Sequence, residues 1–74
     1  HQMKTAPLKI DGMHCDGCAE TIKSVVERQP GVQAAEVSYD RSQARILYDP
    51  AAIPEQRLVA AVQKLGYRVT QQAT

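Results

Sequence analysis

The chain has 74 residues, a length that suits one domain with a thin core and leaves little room for a deep substrate cavity. Nine Lys and Arg against eight Asp and Glu give a net charge of +1, and three Tyr are the only aromatic residues. The weak electrostatic field of the chain and its few aromatic rings for base stacking argue against a nucleic-acid partner. Its small size favours a binding module over an enzyme.

The first part of the chain predicts a strand, a loop and a helix. Residues 7–11 alternate apolar and polar side chains, which predicts a strand that ends at Gly12. Residues 18–29 predict a helix, with Asp16 as its N-cap and Pro30-Gly31 as its end. The apolar stripe of this helix, at helical spacing, consists of Cys18, Ile22, Val25 and Val26.

The second part predicts a hairpin, a helix and a last strand. Residues 32–39 and 43–48 alternate as strands do, and the connection between them is too short for a parallel crossover. A second helix is expected from a first turn at Pro54 through Lys64, followed by a strand over residues 67–70. The expected buried stripe of the second helix consists of Leu58, Ala61, Val62 and Leu65.

The element order β-α-β-β-α-β predicts an α+β fold, the ferredoxin-like sandwich, with a four-stranded antiparallel sheet and both helices on one face. We expect one domain over residues 7–70, with flexible ends at 1–6 and 71–74. No apolar run approaches the ~20 residues of a membrane span, and the polar start lacks the apolar part of a signal peptide. We therefore expect a cytoplasmic protein, with a mature periplasmic protein or the cytoplasmic domain of a membrane transporter as alternatives.

The two cysteines, Cys15 and Cys18, form a C-x-x-C pair, which is a redox or metal signature. Cys15 is expected on the loop and Cys18 in the first helical turn, where unpaired N–H groups and the helix dipole should lower the pKa of the Cys18 thiol. Thiolates are soft ligands that select Cu(I), Hg(II) or Zn(II) over hard ions. Two sulfurs do not fill a tetrahedral structural zinc site, and His14 is the possible third ligand.

A dithiol redox enzyme is the alternative interpretation of the pair. In thioredoxin-like proteins the motif follows an aromatic-rich strand within a longer α/β fold, whereas no Trp precedes Cys15 here. The sequence also lacks a Ser-His-Asp set, a carboxylate pair in a plausible cleft and a phosphate loop. We therefore expect no enzymatic activity.

The segment Gly12-Met13-His14-Cys15-Asp16-Gly17-Cys18 resembles the G-M-x-C-x-x-C motif of the heavy-metal-associated domain family. The resemblance spans roughly residues 8–69 and continues through Pro30-Gly31-Val32, Ala44 to Pro50, and Leu65-Gly66-Tyr67. It implies that Cys15 and Cys18 are the two metal ligands and that Met13 packs under the loop without binding metal. It also implies that Tyr67 lies near the site, where it donates a hydrogen bond towards a sulfur or shields it; packing in the core is the alternative.

The family includes bacterial copper chaperones, domains of heavy-metal ATPases, mercury-binding proteins and a domain of mercuric reductase. The resemblance implies one ion held by two thiolates and passed by ligand exchange to a metal-transporting ATPase or another metal-receiving protein. We expect Cu(I), with Hg(II) as the first alternative and Zn(II), bound with His14 as third ligand, as the second. We expect a monomer, with a metal-bridged dimer as the alternative, and Tyr67 makes the chain resemble the bacterial members.

Overall fold

The computed structural model describes residues 3–71. Its elements are β1 (Lys4–Asp11), α1 (Asp16–Glu27), β2 (Val32–Ser38), β3 (Gln43–Tyr48), α2 (Glu55–Gln63) and β4 (Arg68–Gln71). The four strands form one sheet in the order β2-β3-β1-β4, and every pairing is antiparallel. The predicted α+β ferredoxin-like fold is confirmed.

One face of the sheet and the facing stripe of each helix form the core. Alternate residues of a strand point to the same face, so the two central strands each bury every second side chain. These buried strand residues are Ala6, Leu8, Ile10, Ala44, Ile46 and Tyr48. The helices add Ala19, Ile22, Val26, Leu58, Ala61 and Val62. Within residues 3–71 no polar or charged residue is buried, so the core is held by apolar packing and main-chain hydrogen bonds.

The start of β1 and the end of β4 differ from the prediction. β1 begins at Lys4 because residues 4–6 pair with residues 46–48 of β3, and Ala6 is buried. These residues belong to the sheet and not to a flexible end. β4 includes Gln71, which lies opposite Leu8 of β1. The remaining parts of the predicted flexible ends, residues 1–2 and 72–74, lie outside the described residues.

Both helices also differ from the prediction at their ends. α1 begins at Asp16, and its N-cap is Cys15, whose extended backbone (φ −166°, ψ 171°) precedes the first turn. The prediction of Asp16 as the N-cap was therefore wrong, although an acid in the first turn still suits the helix dipole. α2 ends at Gln63, so Leu65 falls beyond the helix and is 38% exposed instead of completing the buried stripe.

The connections bring three segments to one end of the sheet. Asp11, the last residue of β1, lies opposite Arg68, the first residue of β4, and the N–H of Ile10 donates to the carbonyl of Ser42 in the β2–β3 turn. The β1–α1 loop therefore lies beside Tyr67, which immediately precedes β4. Neither helix in the described part of the chain is long and apolar enough to cross a membrane.

Candidate metal centre

The β1–α1 loop is fixed at one end by a glycine and in the middle by a core residue. Gly12 has φ +104°, a conformation that side chains rarely adopt, and a Cβ there would lie 3.5 Å from Cδ1 of Tyr67. Met13 is 9% exposed and belongs to the hydrophobic core. Met13 packs into the core, whereas the next two residues, His14 and Cys15, are exposed on the surface.

The two thiols lie together at the start of α1. Their sulfur atoms are 3.8 Å apart, and both cysteines are free thiols. The main-chain N–H of Cys18 donates to the carbonyl of Cys15 at 3.1 Å, which closes the first turn and brings both side chains to the same side. Cys15 is exposed, whereas Cys18 is half-buried and packs against the core. The site thus has one exposed, accessible sulfur and one sulfur anchored against the core.

The pKa of the anchored sulfur, that of Cys18, is lowered from its ordinary value. A hydrogen bond from the Tyr67 hydroxyl is the largest of the effects that lower the pKa of Cys18, from 9.0 to about 7. The main-chain N–H of His14 acts in the same direction, as do smaller contributions from Cys15. Burial opposes them. The same hydrogen bond raises the pKa of Tyr67, so the phenol stays protonated as the donor.

The sulfur separation limits how an ion can be held. With metal–sulfur bonds of about 2.3 Å, two sulfurs 3.8 Å apart subtend an angle of roughly 110° at the ion. A linear two-coordinate ion needs them roughly 4.6 Å apart with bonds of that length. Cys15 can supply this opening because it is exposed and lies on the loop, whereas Cys18 is held by the helix and the core.

His14 and Asp16 flank Cys15 and are both exposed. No group of three or more His, Cys, Asp and Glu residues suited to a metal ion occurs in residues 3–71. The site described by the structure is therefore a pair of sulfurs, open on the side of Cys15. The main-chain contact of His14 with Cys18 was missed by sequence reasoning, since residue types carry no signal for the direction of a main-chain N–H.

Comparisons with known proteins find relatives of this chain both in sequence and in fold. The heavy-metal-associated domain family model matches residues 8–68. A mercuric reductase of Serratia marcescens is 49% identical over 61 residues, which make up 82% of this chain and 13% of that protein. Copper-transporting ATPase 2 of Mus musculus is 40% identical over 63 residues, or 85% of this chain and 4% of that protein.

Among solved structures, oxidized MerP from Ralstonia metallidurans CH34 is similar to this chain with a TM-score of 0.91 and 28% identity. The match covers 97% of this chain and 100% of the MerP chain. The curated relatives are much longer: this chain spans 11% to 13% of the length of the mercuric reductases that it matches.

Proposed function

The chain belongs to the heavy-metal-associated domain family, and on that premise we propose that it binds one thiophilic metal ion between Cys15 and Cys18, with Hg(II) as the preferred cargo. The observation that carries the proposal is the 3.8 Å separation of two free sulfurs at an accessible loop. Soft thiolates exclude hard ions such as Mg(II) and Ca(II). The domain acts by binding and handing over the ion, and we assign no reaction to it.

Relatives favour Hg(II) over the Cu(I) that is expected first from sequence. Three mercuric reductases are 45% to 49% identical to this chain, whereas three copper-transporting ATPases are 38% to 40% identical. Softness alone does not separate the two ions, because both accept two thiolates. Cu(I) is the second candidate. Zn(II) ranks behind both, since it requires further ligands and residues 3–71 offer no group of three.

We further propose that the ion leaves by ligand exchange at Cys15. An incoming thiolate from a metal-receiving protein adds to the ion, and the bond to the exposed Cys15 sulfur breaks first. The half-buried Cys18 sulfur keeps its bond longer because its side chain is packed against the core. With a pKa of about 7, Cys18 is about half ionised at neutral pH, so little proton loss is needed before it binds the ion.

The first experiment tests the ligands. The reduced domain should bind one Hg(II), and Cys15→Ser or Cys18→Ser should greatly weaken that binding, while His14→Ala serves as the matched control and should leave it unchanged. X-ray absorption should then count two sulfur neighbours and no nitrogen. Full-affinity, one-to-one binding by the double Cys→Ser variant would refute the site.

The second experiment tests the choice of cargo in an excess of a small monothiol. The domain should retain Hg(II) at a higher concentration of the monothiol than it retains Cu(I), with both ions held by the pair of sulfurs. If Cu(I) is retained at the higher monothiol concentration, the order of the two candidates is reversed.

A further inference from the structure

A groove lies between the two helices. Its volume is about 510 Å³. One side is lined by Val25 of α1 and by Gln29, just beyond its end. The other side is lined by Arg57, Ala60 and Ala61 of α2 and by Lys64, its C-cap. Leu65, 38% exposed just beyond α2, completes the lining. We refer to this feature as the α1–α2 groove.

The groove has an apolar floor and a basic rim. Small side chains, Ala60 and Ala61, keep the floor shallow, and the amide of Gln29 is turned back to donate to the carbonyl of Val25. The charged side chains of the lining are both basic, and neither forms an ion pair within residues 3–71. These uncompensated charges attract an acidic partner and repel a basic one.

The spacing of the two cations fits a helix. Arg57 lies on α2, and Lys64 is the C-cap of that helix with helical backbone angles, so the two are seven residues apart, which is about two turns or roughly 10.5 Å along the axis. A helix lying along the groove can place two carboxylates two turns apart opposite these cations. Its small or apolar residues between the carboxylates then face the floor, as in other helix-in-groove complexes.

One end of the groove lies near the metal centre. Lys64 and Leu65 precede Tyr67 by three and two residues, and the Tyr67 hydroxyl hydrogen-bonds the sulfur of Cys18. Three residues span at most about 11 Å, so a helix held in the groove has one end on the side of the domain that carries Tyr67. That placement raises the local concentration of any thiol carried by the docked protein.

We propose that the α1–α2 groove docks an acidic amphipathic helix, with carboxylates at positions i and i+7, of the protein that exchanges the metal ion with Cys15 and Cys18. The docking role rests on the proposed function, whereas the charge pattern of the occupant follows from the groove alone. Charge attraction speeds the encounter, and the apolar floor fixes the position of the helix.

The probes are three synthetic alanine-based helical peptides that differ only at positions i and i+7: Glu, Gln or Lys at both. NMR titration of the reduced, metal-free domain should show the Glu peptide binding at least tenfold more tightly than the Gln peptide. Shifted amides should cluster at Val25, Ala60, Ala61 and Leu65. Binding of the Glu and Gln peptides with equal affinity, shifts elsewhere, or no binding at millimolar peptide would overturn the proposal.

Charge reversal provides the matched variants. The double variant Arg57→Glu with Lys64→Glu should bind the Glu peptide at least tenfold more weakly than the unmodified domain does. It should bind the Lys peptide more tightly. Lys9→Glu with Arg41→Glu makes the same change of charge at exposed sites outside the groove, and should leave the preference for the Glu peptide intact. If both double variants lose the peptide equally, only net charge is being sensed and the groove assignment fails.

Hg(II) titration of the same variants separates this proposal from the proposed function. Each variant should still bind one ion, because the substitutions lie outside the thiol site. If the unmodified domain binds one Hg(II) but does not bind the Glu peptide, the docking role alone is refuted. Failure of the unmodified domain to bind metal refutes the proposed function, whatever the peptides do.

Discussion

Removing the Tyr67 hydroxyl tests how the site prepares its thiolate. In Tyr67→Phe the ring stays and the hydrogen bond to Cys18 is lost. Because that bond is the largest effect lowering the pKa of Cys18 from 9.0 to about 7, its loss should raise the pKa by about one unit. At pH 7 the ionised fraction of Cys18 should then fall from about one half to about one tenth.

In Tyr67→Phe, the rate at which Cys18 reacts with a small disulfide should fall by a smaller factor than the ionised fraction of Cys18. A thiolate of higher pKa is a better nucleophile, and a rise of one pKa unit increases the rate constant of each thiolate roughly threefold. The fivefold loss of thiolate at pH 7 should therefore appear as about a twofold slower reaction. At a pH where Cys18 is ionised in both proteins, Tyr67→Phe should react about threefold faster, so the two pH–rate profiles cross.

The assay is a pH titration of the Cys18 Cβ carbon by NMR in the reduced domain, paired with the disulfide exchange rates. Tyr48→Phe is the matched control, because the Tyr48 hydroxyl donates to Glu55 and makes no contact that affects Cys18. It should leave the midpoint of Cys18 unchanged. An unshifted midpoint in Tyr67→Phe, or an equal shift in both variants, would show that the phenol does not stabilise the thiolate.

Three further predictions concern the stability of the fold. Gly31→Ala should destabilise more than Gly66→Ala: both have positive φ (+94° and +98°) and lose roughly 1–2 kcal/mol to backbone strain. Only at Gly31 would the new Cβ lie 2.8 Å from a neighbouring side chain, adding about 1–3 kcal/mol, so equal losses on chemical denaturation would contradict the packing. Ile53→Ala, at a site 1% exposed, should cost about 2–5 kcal/mol in the same assay and leave the metal stoichiometry unchanged. The free energy of unfolding of the reduced, metal-free domain should rise between pH 7 and 9, since the folded-state pKa of Cys18 is about 7 against 9.0. It should fall again above pH 10, because folding raises the pKa of Tyr48 above 10.0, and a flat profile between pH 7 and 9 would contradict the lowered thiol pKa.

The fold could be predicted because apolar residues recur with a period of two in the strands and close to 3.6 in the helices. The first and last residues of the strands were less predictable, since they depend on how far the neighbouring strand extends. Lys4 and Thr5 carry no strong strand signal of their own, and they are extended because β3 continues far enough to pair with them. Leu65 continues the period of α2 in sequence, but the chain leaves the helix after Gln63, so the side chain is turned to solvent.

One core residue had a readable signal that was missed. Ile53 is fully buried and stands one position before Pro54, the N-cap of α2, while Leu58 is the fourth residue of that helix. Apolar residues at these two positions form a hydrophobic staple, which fixes the direction in which the chain enters a helix. The hydrogen bond from Tyr48 to Glu55, in contrast, links two elements and could not be read from local pattern.

At the site, the motif predicts which two thiols lie together but not which contacts act on them. A C-x-x-C pair at a helix start predicts two neighbouring sulfurs and a lowered pKa for Cys18. The helix dipole was the cause expected from sequence, yet the phenol of Tyr67, 49 residues away in the chain, is the largest cause. A contact between residues so far apart follows only from the antiparallel pairing of β4 with β1, which places Tyr67 beside the loop.

The separation of the site from the core bears directly on release of the ion. In a structural zinc site the binding free energy is also folding free energy, so loss of the metal unfolds the protein. Here the fully buried side chains include neither cysteine, and Met13 holds the loop against the core through its own side chain. The fold therefore does not depend on the ion for its packing. Under the proposed exchange, handing the ion to a partner should therefore cost only the two metal–sulfur bonds, which the partner's thiolates would replace, and the domain should remain folded for the next ion.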